Sequence, residues 1–318
     1  DNERQQYFIT FNNGETAFFP DRIPKKVEYP FNPDDKEDIY VRLYDVSVVN
    51  TINSLGLSRY GLGNFIDKNK ETEATDAEKK IIENLGRAGK RLMGFCRTNL
   101  FKRLESSGFS FLISLARHVM RNQIFIYAIE NGLPLPVGQQ EKAEMDEFLE
   151  ENDNEDNVAF SLISEISKYE ILAQEYYNKF VSEKKKHEWI SSKLFVNNLL
   201  TSLKDDNEAI LSIIETGKNW NPDNDKQLNA LEDLCIKKHS KEKILVFTQF
   251  ADTANYLFDQ LNKRGLEGVA CVTGDAENPT DFAHRFSPGS NNKTSVKDEI
   301  RVLITTDVLS EGQNLQDA

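Results

Sequence analysis

The sequence predicts an α/β chain with a parallel sheet in its last third, a largely α-helical region before it and a short N-terminal β-hairpin. The sheet rests on three apolar runs between Lys241 and Ala318, each ending in threonine: Lys243-Ile-Leu-Val-Phe-Thr248, Val269-Ala-Cys-Val-Thr273 and Ile300-Arg-Val-Leu-Ile-Thr305. Unbroken runs of this length, rich in Val and Ile, suit strands buried on both faces. The helical region rests on apolar residues at three- and four-residue spacing, as in Phe101, Leu104, Leu112, Leu115 and Val119. The hairpin rests on Asn12-Asn-Gly-Glu15 between Tyr7-Phe-Ile-Thr-Phe11 and Thr16-Ala-Phe-Phe-Pro20. An Asn-Gly pair between apolar runs is the strongest short-range hairpin signal.

In chain order, Lys26-Val-Glu-Tyr29 alternates and predicts a further strand before Pro30, and Asn32-Pro-Asp-Asp35 opens a helix running from Ile39 to Ile52. Ser54 to Thr75, with Gly56, Gly61 and Gly63, is a connector. Ala77 to Leu85 begins the long helical region. Gly132 to Asn157 breaks it with Pro134 and Pro136, then an acidic run from Glu141 to Asp156 that reads as an exposed loop. Ala159, Ile163, Ile166, Tyr169, Ala173, Tyr176 and Phe180 mark an amphipathic helix, and Trp189 to Leu203 and Glu208 to Ile214 continue helical. Gly217 to Asp225 is a linker by composition, and Lys226 to Lys237 is a helix with Leu228, Leu231 and Leu234 on one face. Between the first two buried strands, Ala254, Leu257, Phe258 and Leu261 mark a helix stopped at Gly265, which makes a right-handed strand–helix–strand crossover.

At 318 residues, with 39% hydrophobic and 29% charged residues, the chain has ample material for a core and room for two domains. No stretch approaches the roughly 18 uncharged apolar residues of a membrane span. The start at Asp1-Asn-Glu-Arg4 and the stop after a strand and its loop lead us to expect both ends to be cut from a longer protein. Cys96, Cys235 and Cys271 have neither pairing nor metal spacing, the latter two sit on apolar stripes, and a reducing cytoplasm fits. No metal site and no catalytic residue is expected. The net charge of −13 argues against a simple electrostatic clamp on DNA. Yet Gly86 to Leu104 holds six basic residues (Arg87, Lys90, Arg91, Arg97, Lys102, Arg103) and no acidic one. That stretch would suit DNA phosphates or an acidic partner, and by itself it reads as a solvated helix face.

In a parallel sheet the carboxyl ends share one edge, and ligands bind in the crevice there. The residues expected at that edge are Thr248-Gln249, Thr273-Gly274-Asp275 and Thr305-Thr306-Asp307. Hydroxyls and free loop amides suit phosphate oxygens. Threonine also ends strands and caps helices well, so it is the three in register that favour a phosphate-facing surface.

These residues carry a resemblance. Phe247-Thr-Gln-Phe250 with Ala251-Asp-Thr-Ala254 resembles motif IV of the Swi/Snf-like branch of superfamily 2 helicases, and Ile304-Thr-Thr-Asp-Val-Leu-Ser-Glu-Gly-Gln-Asn-Leu-Gln316 is similar to motif V. Val272-Thr-Gly-Asp275 and Phe282 to Ser287 resemble the segment between them. Leu100 to Ser107 with Phe109 to Arg117 resembles a helix pair that bridges the two lobes in bacterial helicase-like ATPases, and Arg22 to Phe31 with Leu43-Tyr44-Asp45 is loosely similar to the end of their first lobe. The resemblance implies the end of a first lobe at 1–60, a helical bridging insertion at 61–222 and a partial RecA-like second lobe at 223–318. It further implies that Thr248, Gln249, Thr273, Gly274, Thr305, Thr306 and Asp307 face a nucleic acid, and that Gly312, Gln313 and Asn314 approach the ATP ribose and phosphates. Cofactors of the intact parent would be ATP and Mg²⁺, with neither bound tightly by this fragment. Its partners would be double-stranded DNA and the first lobe of the same chain.

Departures from that pattern are plain. The sequence has no G-x-x-x-x-G-K-[ST] loop, and Gly86-Arg-Ala-Gly-Lys-Arg91 lacks both the glycine spacing and the Ser/Thr after Lys. No Asp-Glu pair follows a buried strand, and the motif VI arginines are absent. The chain should therefore not hydrolyse ATP alone. Two readings stand: part of a DNA-dependent ATPase, or a non-catalytic interaction module on a helicase-lobe scaffold.

Overall fold

Strands β1 (Phe8–Thr10) and β2 (Thr16–Phe18) pair antiparallel, with Phe8 opposite Phe18 and Thr10 opposite Thr16. Gly14 between them has φ of +84°, which a residue without Cβ adopts freely. The computed structural model describes residues 8–10, 14, 16–18, 23–35, 38–137, 163, 168–182, 188–293, 296–310 and 312–317. The chain forms two compact units, Asp1–Pro30 and Phe31–Ala318. In the first, the strand expected at Lys26 to Tyr29 does not form. Lys26 to Glu28 are exposed, and no partner strand meets them among the described residues, so alternation alone has no ladder to join.

In the second unit the helix expected from Ile39 to Ile52 is two helices, α1 (Ile39–Leu43) and α2 (Val46–Ser54). Asp45 divides them: its carboxylate accepts from the backbone N–H of Ser47 at 2.8 Å, the N-cap arrangement that competes with an uninterrupted helix. Helix α3 (Asp76–Ser106) opens on a capping box between Thr75 and Glu78. Ser107, at φ −167°, ends α3 and caps α4 (Gly108–Glu130), so the chain reverses there. Helix α4 is the central rod. Phe111, Leu112, Leu115, Ala116 and Val119 are fully buried.

Strand β3 (Leu135–Val137), helix α5 (Tyr169–Ser182) and strand β4 (Glu188–Ile190) follow, and Leu135 pairs antiparallel with Ile190. The helix expected from Trp189 to Leu203 is thereby corrected: a strand and a 3₁₀ turn at Ser192–Leu194 precede α6 (Asn198–Gly217). A partner some fifty residues upstream overrides the local pattern, as strand preference depends on context. The acidic run at 141–156 and the predicted helical positions Ala159 and Ile166 lie outside the described residues. No helix among the described residues is long and apolar enough to cross a membrane.

His118, on α4, is 3% exposed, and its Nε2 has no hydrogen-bond partner among the described residues. Burial, reinforced by the Arg59 and Arg121 charges, pushes the imidazole well below its ordinary value. The folded chain thus keeps it neutral while the unfolded chain takes up a proton below a pH of about 6.5. Its share of stability is complete above that pH and declines below it, by at most about 1.4 kcal/mol per pH unit. Urea unfolding at pH 7.5 and 5 is expected to show this fall, and His118→Gln to flatten it. An equal fall in the variant would assign the pH dependence to other groups.

The remaining elements are α7 (Lys226–Asp233) with a π-helical turn at Leu234–Lys238, β5 (Ile244–Phe247), α8 (Ala251–Lys263), β6 (Val269–Val272), α9 (Pro279–Phe286) and β7 (Val302–Thr305). The three strands form a parallel sheet in the order β5-β7-β6, as the apolar runs predict. All of β7 is buried because it lies between the other two. Side chains alternate between faces: Val302 and Ile304 join the core that includes Ala254 and Leu261 of α8, while Leu303 joins Phe286 of α9 and Leu309. Helices thus cover both faces, the RecA-like layering expected for an α/β lobe.

Candidate nucleic-acid interface

Strand register sets the edge. Phe247, Thr305 and Val272 are level across the sheet, so Thr248, Thr306 and Thr273 are the next residues along neighbouring strands. The ladder continues through them: the Thr248 N–H donates to the Thr305 carbonyl at 3.0 Å, and the Thr306 N–H to the Val272 carbonyl at 3.3 Å. The three threonines therefore stand side by side at the carboxyl edge. Gln249, Gly274 and Asp307 beside them are exposed, and a side chain at Gly274 would meet nothing within 4 Å. Thr305 differs from the others. It is fully buried, where Thr306 and Thr273 keep 6% and 8% of their surface and Thr248 is half-buried, and its hydroxyl donates to the Thr306 carbonyl at 3.0 Å.

One end of this edge is held by the helical region. Ser106, the last residue of α3, lies with its Oγ 3.2 Å from Thr248 Oγ1 and 2.9 Å from Thr253 Oγ1, and Ser110 Oγ lies 2.9 Å from Thr253. Beside these hydroxyls Asp252, 8% exposed, accepts from Arg103 at 2.5 Å and from Arg117 at 2.8 and 2.9 Å. The Arg103 guanidinium also lies 4.6 Å from the Phe250 ring centre. Burial by itself would raise the Asp252 carboxyl; the Arg117 and Arg103 charges reverse this and hold it below the ordinary carboxylate range. The segment from Thr248 to Thr253 is thus gripped by α3 and α4. Sequence reasoning missed this grip because Arg103 and Arg117 are separated from Asp252 by more than a hundred residues, and no local pattern links them.

The other end is acidic. Thr273 Oγ1 lies 3.5 Å from Asp275 Oδ2 and borders a pocket of about 480 Å³ whose wall includes Asp275, Glu277, Asp281 and Cys271. Burial, then the Asp259 and Asp275 charges, push the Cys271 thiol up to about 12, so it is protonated and unreactive at neutral pH. A polyanion would meet repulsion within this pocket, beyond Thr273, and not beside Thr248 or Thr306.

Gly312, at φ +71°, is exposed, and no atom lies within 4 Å of where its Cβ would stand, so the backbone is open to a close ligand. Gln313 Nε2 donates to Thr280 Oγ1 at 3.3 Å. Asn314 Nδ2 donates to the Ser290 carbonyl at 2.8 Å, leaving its buried Oδ1 without a partner among the described residues. That oxygen is enclosed by protein, so the open approach for a ligand here is the Gly312 backbone. Among the described residues no group of three or more His, Cys, Asp or Glu side chains converges as a metal site.

Residues 226–318, under a third of the chain, match the family model for the helicase conserved C-terminal domain. The match supports a helicase-superfamily member and a nucleic-acid-related function. No curated protein and no solved structure matches the chain.

Proposed function

We propose that the chain supplies the second-lobe face of a DNA-dependent ATPase of the Swi/Snf-like helicase type, tracking double-stranded DNA without itself holding the catalytic phosphate site. The observation that carries this reading is the line of Thr248, Thr306 and Thr273 on one carboxyl edge, within the segment that matches the helicase C-terminal domain. Threonine hydroxyls and the amides of Gln249 and Gly274 would hold successive phosphate oxygens of one strand, contacts that position a duplex without reading its sequence. Gly312 would let the backbone approach the nucleotide, and Gln313 and Asn314 would close that side. Bound ATP supplies the phosphoryl group whose hydrolysis drives movement. The cradle for its phosphates, and the acid that polarises water, would come from a first lobe, since the sequence has no such loop.

Thr273→Ala combined with Thr306→Ala is expected to weaken binding of a fluorescein-labelled duplex about tenfold or more, because hydrogen bonds to a charged partner contribute about 1.5–3 kcal/mol each. Anisotropy titration at fixed salt measures this, and unchanged affinity would sink the edge assignment. Gly312→Val should leave duplex binding intact and weaken binding of a fluorescent ATP analogue. The second reading, a non-catalytic interaction module, is favoured by the grip of Arg103 and Arg117 on Asp252, which fixes the lobe to the helical region as a scaffold would. Failure of the unmodified chain to bind DNA would select it.

A further inference from the structure

We infer that the exposed flank of α3 is a shelf for a single strand parted from the duplex at the threonine edge; this rests on reading that edge as a nucleic-acid contact. The basic stretch from Gly86 to Leu104 divides once its contacts are known. Arg97 donates to the Leu55 carbonyl at 2.5 Å and Arg103 grips Asp252, so both serve the fold. Arg91 and Lys102 are exposed and make no ion pair among the described residues. Between them stands Phe95, 68% exposed, an unusual degree for a large aromatic side chain. A Cβ on Gly94 beside it would meet nothing within 4 Å, so the surface there is open.

Helical geometry places these three together. At about 100° per residue, Arg91, Phe95 and Lys102 lie within roughly 60° of Ser106 around α3, on the flank beside the side that meets the sheet edge. Ser106 itself touches Thr248. With a rise of about 1.5 Å per residue, Lys102 stands ~6 Å, Phe95 ~16 Å and Arg91 ~22 Å along the helix from that contact. The order is cation, aromatic ring, cation, and no acidic residue interrupts it between Gly86 and Leu104. Cations at both ends suit backbone phosphates, while an exposed ring between them stacks an unpaired base. A duplex buries its bases and would leave Phe95 unused. An acidic protein segment would use Arg91 and Lys102 but gains little from one isolated ring, because protein hot spots cluster in desolvated pockets. The acidic wall beyond Thr273 further directs a polyanion toward the α3 end of the edge.

The test uses the full 318-residue chain with two fluorescein-labelled probes of roughly 20 units, an oligothymidine and a duplex, at two salt concentrations. Arg91→Glu with Lys102→Glu is expected to weaken oligothymidine binding about tenfold or more and to lower the salt slope by the equivalent of about two phosphate contacts. Phe95→Ala should weaken the oligothymidine about tenfold and barely change the duplex. All three side chains are exposed, so these variants should melt with the parent. If both α3 variants bind oligothymidine as the parent does, the shelf is overturned and Phe95 is left to a protein partner. Loss in Thr273→Ala/Thr306→Ala alone would then preserve the edge reading. Loss in the α3 variants alone would discard the edge and with it the continuous path, and a parent that binds neither probe would discard both.

Discussion

Asp252→Ala is expected to lower the thermal midpoint of the second unit by about 6 °C or more and to weaken DNA binding at the threonine edge. The carboxylate is 8% exposed and is shared by two guanidinium groups, Arg103 at 2.5 Å and Arg117 at 2.8 and 2.9 Å. Removing one member of a buried ion pair costs about 3–5 kcal/mol, chiefly because the remaining charge stays desolvated. In domains of roughly 150–250 residues each kcal/mol corresponds to about 2–4 °C, and the larger unit Phe31–Ala318 falls at the low end. Part of the effect is positional: Asp252 lies in the first turn of α8, where the aligned peptide dipoles also favour a negative charge. Loosening it frees Thr248 and Thr253 from Ser106 and Ser110, so the edge loses its fixed end. Replacing all three members with apolar residues, as Arg103→Met, Arg117→Met and Asp252→Leu, should recover much of the loss, since no charge is then stranded. The pH dependence has a definite sign. A carboxyl held below its ordinary value stabilises the fold above that value and ceases to do so as pH falls through its folded pKa, so parent and Asp252→Ala curves should converge in acid. Calorimetry on the pair checks both points, and equal midpoints at pH 7 would remove the clamp from this account.

The sheet was legible because its strands announce themselves locally. Lys243 to Thr248, Val269 to Thr273 and Ile300 to Thr305 are apolar on both faces, and each is observed as a strand within a residue or two of those bounds. The N-terminal hairpin was equally local, since its two strands lie close together in the sequence. What sequence missed is what distance assembles. Trp189 has a helical neighbourhood but becomes a strand because Pro136 lies opposite it. Ile39 to Ile52 keeps a helical period, yet Asp45 bonds its own downstream amide and divides the segment. At the candidate site, the alignment of Thr248, Thr306 and Thr273 follows from register and was readable. The burial of Thr305, the engagement of Thr248 by Ser106 and the division of the basic stretch into structural and free cations were not, because each depends on a partner from another element.

Asp225→Ala should destabilise the second unit about as strongly, by a different route. Asp225 is 1% exposed and accepts four hydrogen bonds: from the hydroxyls of Tyr40 at 3.0 Å and Tyr256 at 2.8 Å, and from the backbone N–H groups of Gln227 at 2.9 Å and Leu228 at 3.1 Å. It thus caps α7 while joining α1 and α8, and Trp220 donates to Tyr256 at 3.3 Å from the linker itself. Burial, then the Asp225 charge, pushes both phenols far above their ordinary value, so each is a committed donor at any working pH. Alanine removes the cap, about 1 kcal/mol, and strands buried donors at about 1–3 kcal/mol each. Tyr40 retains the Gln227 side-chain oxygen at 3.1 Å, so Tyr256 and the amides bear most of the loss, and a total of about 3–5 kcal/mol follows. Asp225→Asn keeps an acceptor of the same shape and should fall between. Coupling identifies the mechanism: Tyr256→Phe should cost clearly less in the Asp225→Ala background than in the parent, because its partner has already gone. Urea denaturation of that four-member cycle reads it, and strict additivity would mean the two groups do not act together. The site of first proteolytic cleavage separates this bond network from the Arg103–Asp252–Arg117 clamp. Loss of Asp225 releases the linker from Gly217 to Asp225 while α8 remains held by α3 and α4, so cleavage should begin there in Asp225→Ala and not in Asp252→Ala.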